Sequence, residues 1–256
     1  MTKPPPYRTD RTPASKQGAP DVQSRASQGG SVSAFLKTAK AVQAAGPRPV
    51  PKYRLVFGID ATMSREHSWD VATGVQGAMF EAAAEAGGLD VQLVFFRGFR
   101  ECKSSAWHDD GRALATTMAK VGCRAGNTQV CRVLSHALKE AGRGPVRALV
   151  YVGDAFEEDP DRAGHLAGQL GVLRVPVFCF HEGRHPAPRR VFEEIARLSG
   201  GGYFPFDSGS PERVRDLFAA IGAYAAGGMA ALTGQGASKL AGAKAVRAAI
   251  EGPRRT

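Results

Sequence analysis

The sequence predicts an α/β fold: a three-layer, doubly wound, Rossmann-like arrangement with a mainly parallel six-stranded sheet, one antiparallel edge strand and helices on both faces. Three observations carry this. Runs such as Leu55-Val56-Phe57-Gly58-Ile59 and Ala148-Leu149-Val150-Tyr151-Val152 are apolar without alternation, as strands covered on both faces must be. Amphipathic helical patterns lie between successive runs. Glycine and proline punctuate the boundaries, as in Gly87-Gly88 and the triplet from Gly200 to Gly202.

In order, Tyr53–Asp60 reads as a buried strand and Glu66–Ala86 as a long helix stopped by Gly87-Gly88. Asp90–Gly98 and Arg100–Trp107 read as strands joined at Gly98-Phe99, a hairpin that supplies the antiparallel edge. Asp109–Val121 and Thr128–Ala141 read as helices, the second from Val130, Val133, Leu134, Ala137 and Leu138 on one face. Val146–Gly153 is a strand, Asp161–Leu170 a helix, Val175–Phe180 a strand, Arg189–Leu198 a helix and Tyr203–Phe206 a short strand. Pro211–Ala226 is the last helix of the domain, with Ser210 as N-cap ahead of Pro at the first helical position.

Outside 53–226 the composition changes. Residues 1–30 are rich in Pro, Gly, Ser and Gln and bury too little apolar surface to offset chain entropy, which predicts a disordered basic tail. Val32, Phe35, Leu36, Ala39 and Val42 predict a short amphipathic helix over 31–46, ended by Gly46-Pro47. Residues 227–256 read as a basic tail rich in Ala, Gly and Lys, with a frayed helix near Ser238–Ile250.

The formal charge of +10 divides unevenly along the chain. Residues 1–52 hold nine Lys and Arg against two Asp and Glu, and residues 227–256 hold five against one. The core between them holds 20 against 21, so its net charge is −1. Nucleic-acid binding through the core is therefore disfavoured, and only weak attraction through the tails is left. No apolar run approaches a membrane span and the first residues do not resemble a signal peptide, so the expectation is a soluble protein of the cytoplasm. Cys102, Cys123, Cys131 and Cys179 show no CxxC spacing and read as reduced thiols.

Asp60-Ala-Thr62-Met-Ser64 follows the first apolar run directly. In an extended segment its carboxylate and two hydroxyls point to one side. An all-oxygen set without His or Cys suits a hard cation such as Mg²⁺, with Mn²⁺ or Ca²⁺ compatible, and disfavours softer metals. Thr128 at a helix start and Asp154 after Gly153 add a hydroxyl and a second carboxylate. Each also has a local use, Asp60 and Asp154 in turns and Thr128 as an N-cap.

The ordered set Asp60-x-Thr62-x-Ser64, Thr128 and Gly153-Asp154 resembles the metal-ion-dependent adhesion site (MIDAS) of von Willebrand factor A (VWA) domains, over about residues 53–226. The family has Ser where Thr62 stands and usually Thr-Asp-Gly where Gly153-Asp154-Ala155 stands. The resemblance implies an intracellular bacterial-type VWA fold with Thr62 and Ser64 as direct ligands. Thr128 would bind directly or through water, and the two aspartates through waters. It further implies Mg²⁺-dependent protein–protein binding to a partner that presents an acidic residue. Arg65, Glu66, His67, Trp69, Glu157 and Glu158 are the candidate partner contacts around such a rim, Trp69 being equally readable as core.

Two other classes stay open. A Mg²⁺-dependent hydrolase or phosphatase requires a second acid near Asp60, a general base such as His136 and a cation for phosphate; position 62 carries Thr, and there is no Gly-rich loop ending in Lys-Ser/Thr. A nucleic-acid-associated adaptor would act through the basic tails. The expectation is a binding module and not an enzyme.

Overall fold

The computed structural model describes residues 52–252. The disordered tail expected at 1–30 and the amphipathic helix expected at 31–46 lie outside those residues.

The strands are β1 (Tyr53–Asp60), β2 (Leu89–Arg97), β3 (Glu101–His108), β4 (Val146–Gly153), β5 (Val177–Glu182) and β6 (Gly202–Phe206). They form a six-stranded sheet in the order β3-β2-β1-β4-β5-β6. β2 and β3 pair antiparallel and every other neighbouring pair is parallel. From β1 the chain winds first toward β2 and later the opposite way through β4. That reversal opens a crevice beyond the carboxyl ends of β1 and β4. Ile59 stands level with Val152, so Asp60 and Asp154 leave the sheet side by side.

Alternation along β1 sorts its side chains between two cores. Leu55, Phe57 and Ile59 face one cluster and Val56 the other. Helices α1 (Glu66–Val75), α2 (Gly77–Ala83), α3 (Gly111–Met118) and α7 (Pro211–Gly227) cover the first face through Trp69, Met79, Leu114 and Phe218. Helices α4 (Val130–Ala141), α5 (Pro160–Val172) and α6 (Pro186–Ser199) cover the second through Val133, Leu134, Ala167 and Phe192. Each large side chain so removed from water contributes roughly 1.5–3 kcal/mol before entropy is counted. Gly58 lets α4 approach β1: a Cβ there would lie 2.6 Å from Val133 Cγ1.

Several boundaries differ from the sequence expectation for identifiable reasons. The helix expected over Glu66–Ala86 divides at Gln76, where Met79 N–H bonds the Gln76 carbonyl in a tightened turn and the Gln76 amide donates to the Gly111 carbonyl at 2.8 Å. It ends in a 3₁₀ turn, Ala84–Ala86, closed by left-handed Gly87. Ser210 gives α7 no side-chain cap; its hydroxyl bonds the Asp207 carboxylate instead.

The largest correction concerns the C-terminus. The chain was expected to leave the domain after Ala226. It continues as α8 (Met229–Thr233), a 3₁₀ segment (Gln235–Lys239) and α9 (Ala243–Glu251). Leu232, Ala243 and Val246 are buried in the same core as Phe57 and Phe218. The Ala- and Gly-rich composition that suggested a tail serves close packing here: a Cβ on Gly242 would lie 2.4 Å from the Asp216 carbonyl oxygen. Among the described residues no helix is long and apolar enough to cross a membrane. Cys102, Cys131 and Cys179 are free thiols, and burial pushes the Cys131 thiol up to about 12.

Candidate metal centre

Asp60 closes β1 and is fully buried. One of its carboxylate oxygens accepts the Thr62 backbone N–H at 2.7 Å, which turns the chain at once. Residues Met63–Arg65 then form a 3₁₀ turn, so the convergence does not come from an extended segment as the sequence suggested. The outcome is nevertheless a pair of adjacent hydroxyls. Thr62 Oγ1 and Ser64 Oγ stand 3.2 Å apart, the first buried and the second exposed.

Thr128 does not begin α4 as its N-cap; it sits in the preceding loop and is buried. Its N–H donates to the Glu157 carboxylate at 3.1 Å, and its hydroxyl accepts the Glu157 N–H at 2.9 Å. The loop is held on its other side by Arg124 N–H to the Ala61 carbonyl at 3.0 Å. Gly126 lies against the β2–β3 turn so closely that a Cβ would sit 2.1 Å from the Gly98 carbonyl oxygen. The Glu158 carboxylate accepts the Cys131 N–H at 3.2 Å and so satisfies a donor of the first turn of α4. Burial raises the Glu158 pKa, with the bond from Cys131 acting against it.

Asp154 follows β4. Its Oδ1 is buried and has no hydrogen-bond partner among the described residues. Its backbone carbonyl lies 3.3 Å from Nε2 of His181, whose Nδ1 is 2.9 Å from the Tyr203 hydroxyl. A carbonyl only accepts, so Nε2 carries a hydrogen, and in the neutral ring Nδ1 is then the acceptor toward Tyr203. His181 is 1% exposed and pairs in register with Gly153. Sequence reasoning passed over His181 and Tyr203, because their closeness to Asp154 depends on which strands are neighbours.

Asp60, Thr62, Ser64, Thr128 and Asp154 all line one hollow of about 230 Å³, with Met63, Ala125, Gly126, Ala155 and Glu157. Two carboxylates and three hydroxyls form an all-oxygen donor set with one buried carboxylate oxygen left unbonded, which fits a hard cation. Among the described residues no group of three or more His, Cys, Asp or Glu is arranged for a metal. The hydroxyls therefore decide the character of this centre.

The expected partner contacts need correction. Trp69 is 5% exposed, packs in the core and donates from Nε1 to the Met118 carbonyl at 3.3 Å, so it presents no hot spot. Glu158 is half-buried with its carboxylate on the Cys131 N–H, whereas Glu157 is exposed although its carboxylate accepts the Thr128 N–H. Arg65 closes the 3₁₀ turn and Glu66 and His67 open α1; their side chains lie outside the described part of the structure. Met63 was not singled out from sequence, yet it is 55% exposed beside the hollow.

Among solved structures, the fold is similar to a von Willebrand factor type A protein from Catenulispora acidiphila, with a TM-score of 0.54 and 14% identity over 68% of this chain and 42% of that one. It is similar to the SpRpn10 VWA domain, with a TM-score of 0.52 and 11% identity over 64% of this chain and 95% of that one. It is also similar to proximal thread matrix protein 1 from the mussel byssus with a zinc-occupied MIDAS motif, with a TM-score of 0.51 and 13% identity over 66% of this chain and 45% of that one. The chain thus spans under half the length of the first and third of these proteins. No protein-family model and no curated protein matches it. The fold is that of VWA domains.

Proposed function

We propose that this chain is a Mg²⁺-dependent protein-binding and assembly module of the bacterial cytoplasm, whose cation captures a carboxylate presented by a partner. The observation that carries the reading is the convergence of Asp60, Thr62, Ser64, Thr128 and Asp154 on one hollow. Thr62 and Ser64 would hold the ion directly and Thr128 directly or through water, with Asp60 and Asp154 acting through waters behind them. Two oxygens on one edge of a Mg²⁺ octahedron stand about 3.0 Å apart for ligand distances of about 2.1 Å. The 3.2 Å between the Thr62 and Ser64 hydroxyls is close to that edge, and Mn²⁺ would fit with little change.

The electrostatics explain why such a centre would bind a second molecule. Neutral hydroxyls leave a divalent charge poorly compensated, so an outside carboxylate completes it. Metal and partner then strengthen each other's binding reciprocally. A binding role is favoured over hydrolysis because, among the described residues, the lining of the hollow includes no Lys, Arg or His. His136, the candidate base, bonds Gln92 on β2 at 2.8 Å instead.

Calorimetric titration of Mg²⁺ into the full chain and into Asp60→Ala tests the reading. Saturable binding by the wild type, lost in the variant, is expected. Equal heats for both proteins would remove the metal from the account.

A further inference from the structure

Beside the hollow the surface changes character. Gly126, in its wall, rests on Gly98, and the next two residues of the hairpin tip are Phe99 and Arg100. Phe99 is 78% exposed, the largest apolar side chain so presented among the described residues. Met63, in the wall of the hollow itself, is 55% exposed.

Cations surround this apolar pair. Arg100 and Arg132 are exposed, and Arg132 is tethered to the Arg100 carbonyl at 2.7 Å. Arg124, 68% exposed at the side chain, adjoins Ala125 in the wall of the hollow. A single carboxylate, Glu101, serves Arg97 at 3.0 Å, Lys103 at 2.8 Å and Arg124 at 3.8 Å. Arg97 and Lys103 hold its pKa down at about 2, so it stays ionised yet cannot balance the group. Five cations, Arg97, Arg100, Lys103, Arg124 and Arg132, gather with Glu101 about the hairpin and the loop before α4, on a core whose overall charge is −1, while the carboxylates of Asp60, Asp154 and Glu157 line the adjoining hollow. Such local concentration steers an oppositely charged partner.

We propose that the hairpin tip and the loop before α4 form a basic, apolar-centred collar that docks an acidic protein segment carrying an aromatic or aliphatic residue. The apolar residue covers Phe99 and Met63, and flanking carboxylates meet Arg100 and Arg124. The orientation rests on the metal reading above, which takes one further carboxylate of the same segment into the hollow. Nucleic acid would meet the cations and could offer a phosphate to the ion, but its polar backbone gives the exposed Met63 thioether no apolar cover, and the core it would meet has a net charge of −1.

The test uses the full chain and fluorescein-labelled synthetic peptides read by anisotropy, in Mg²⁺ and in EDTA. One peptide alternates Asp or Glu with Leu and Phe, a second replaces the acids by Asn and Gln, and a third is acidic without apolar residues. An oligothymidylate is the competing ligand. The first peptide should bind best. Arg100→Glu with Arg124→Glu should weaken it by about tenfold or more, with Mg²⁺ heats unchanged. Phe99→Ser should weaken the first peptide and spare the purely acidic one. Unchanged affinity after charge reversal, equal binding of the amide peptide, or tighter binding of the oligothymidylate would overturn the collar. If charge reversal acts equally in Mg²⁺ and EDTA and no Mg²⁺ heat is seen, the collar stands and the metal reading falls.

Discussion

Thr128 and Glu157 bond each other twice, backbone to side chain in both directions, at 3.1 and 2.9 Å. The pair ties the loop before α4 to the loop after β4, across 29 residues of sequence. It also fixes the Thr128 hydroxyl as an acceptor toward Glu157, which sets where its second lone pair points.

Glu157→Ala removes the carboxylate that satisfies the buried Thr128 N–H. Stability should fall by about 1–3 kcal/mol through the unmet donor. Mg²⁺ affinity should fall roughly 10–100-fold, as for other residues that orient ligands without being ligands themselves. Urea denaturation and calorimetry measure the two effects, and Glu157→Gln should recover part of both.

Asp154→Asn separates stability from binding. The buried Oδ1 lacks a hydrogen-bond partner among the described residues, so neutralising this side chain should leave metal-free stability unchanged or higher. Added Mg²⁺ should raise the melting temperature of the wild type and not of the variant, because only a ligand that binds the native state stabilises it. A variant less stable than wild type in EDTA would show that Asp154 serves the fold first.

Gly58→Ala places a methyl 2.6 Å from Val133 Cγ1 at the contact of β1 with α4. Overpacking there should destabilise by about 1–3 kcal/mol. Adding Val133→Ala should restore part of the loss, giving a coupling term in a double-mutant cycle. Strict additivity would place the clash elsewhere.

The pH dependence of stability should carry a signature of His136. Burial lowers its pKa below 6.5 in the folded state, so the unfolded chain binds the proton more readily. Its neutral form is fully compatible with the fold above the unfolded value. Stability should therefore fall as pH drops through 6.5 toward the folded value. His136→Gln, which can still donate to Gln92, should flatten that slope in urea melts between about pH 5 and 8.

The strands were legible because burial on both faces leaves an unbroken apolar record, as in Leu55–Ile59 and Ala148–Val152. The cluster around Asp60 was legible as chemistry, although a turn and not an extended run gathers it. Trp69 could not be assigned, because a helix start near a site and a helix start on a core look alike in sequence. His181 was hidden by strand adjacency. The C-terminal helices were hidden by composition, since Ala, Gly and Lys pack closely on α7 and also fill solvated tails.

Asp60 and Asp154 are brought together only by the parallel pairing of β1 with β4, with two strands and four helices threaded between them. Asp60, Thr62, Ser64 and Thr128 precede Asp154 and the strand that carries it, so a nascent or truncated polypeptide ending before β4 would lack the second carboxylate and the strand pairing that brings it to the others. Cation uptake would then certify finished topology, and quality control and recruitment would depend on the same event.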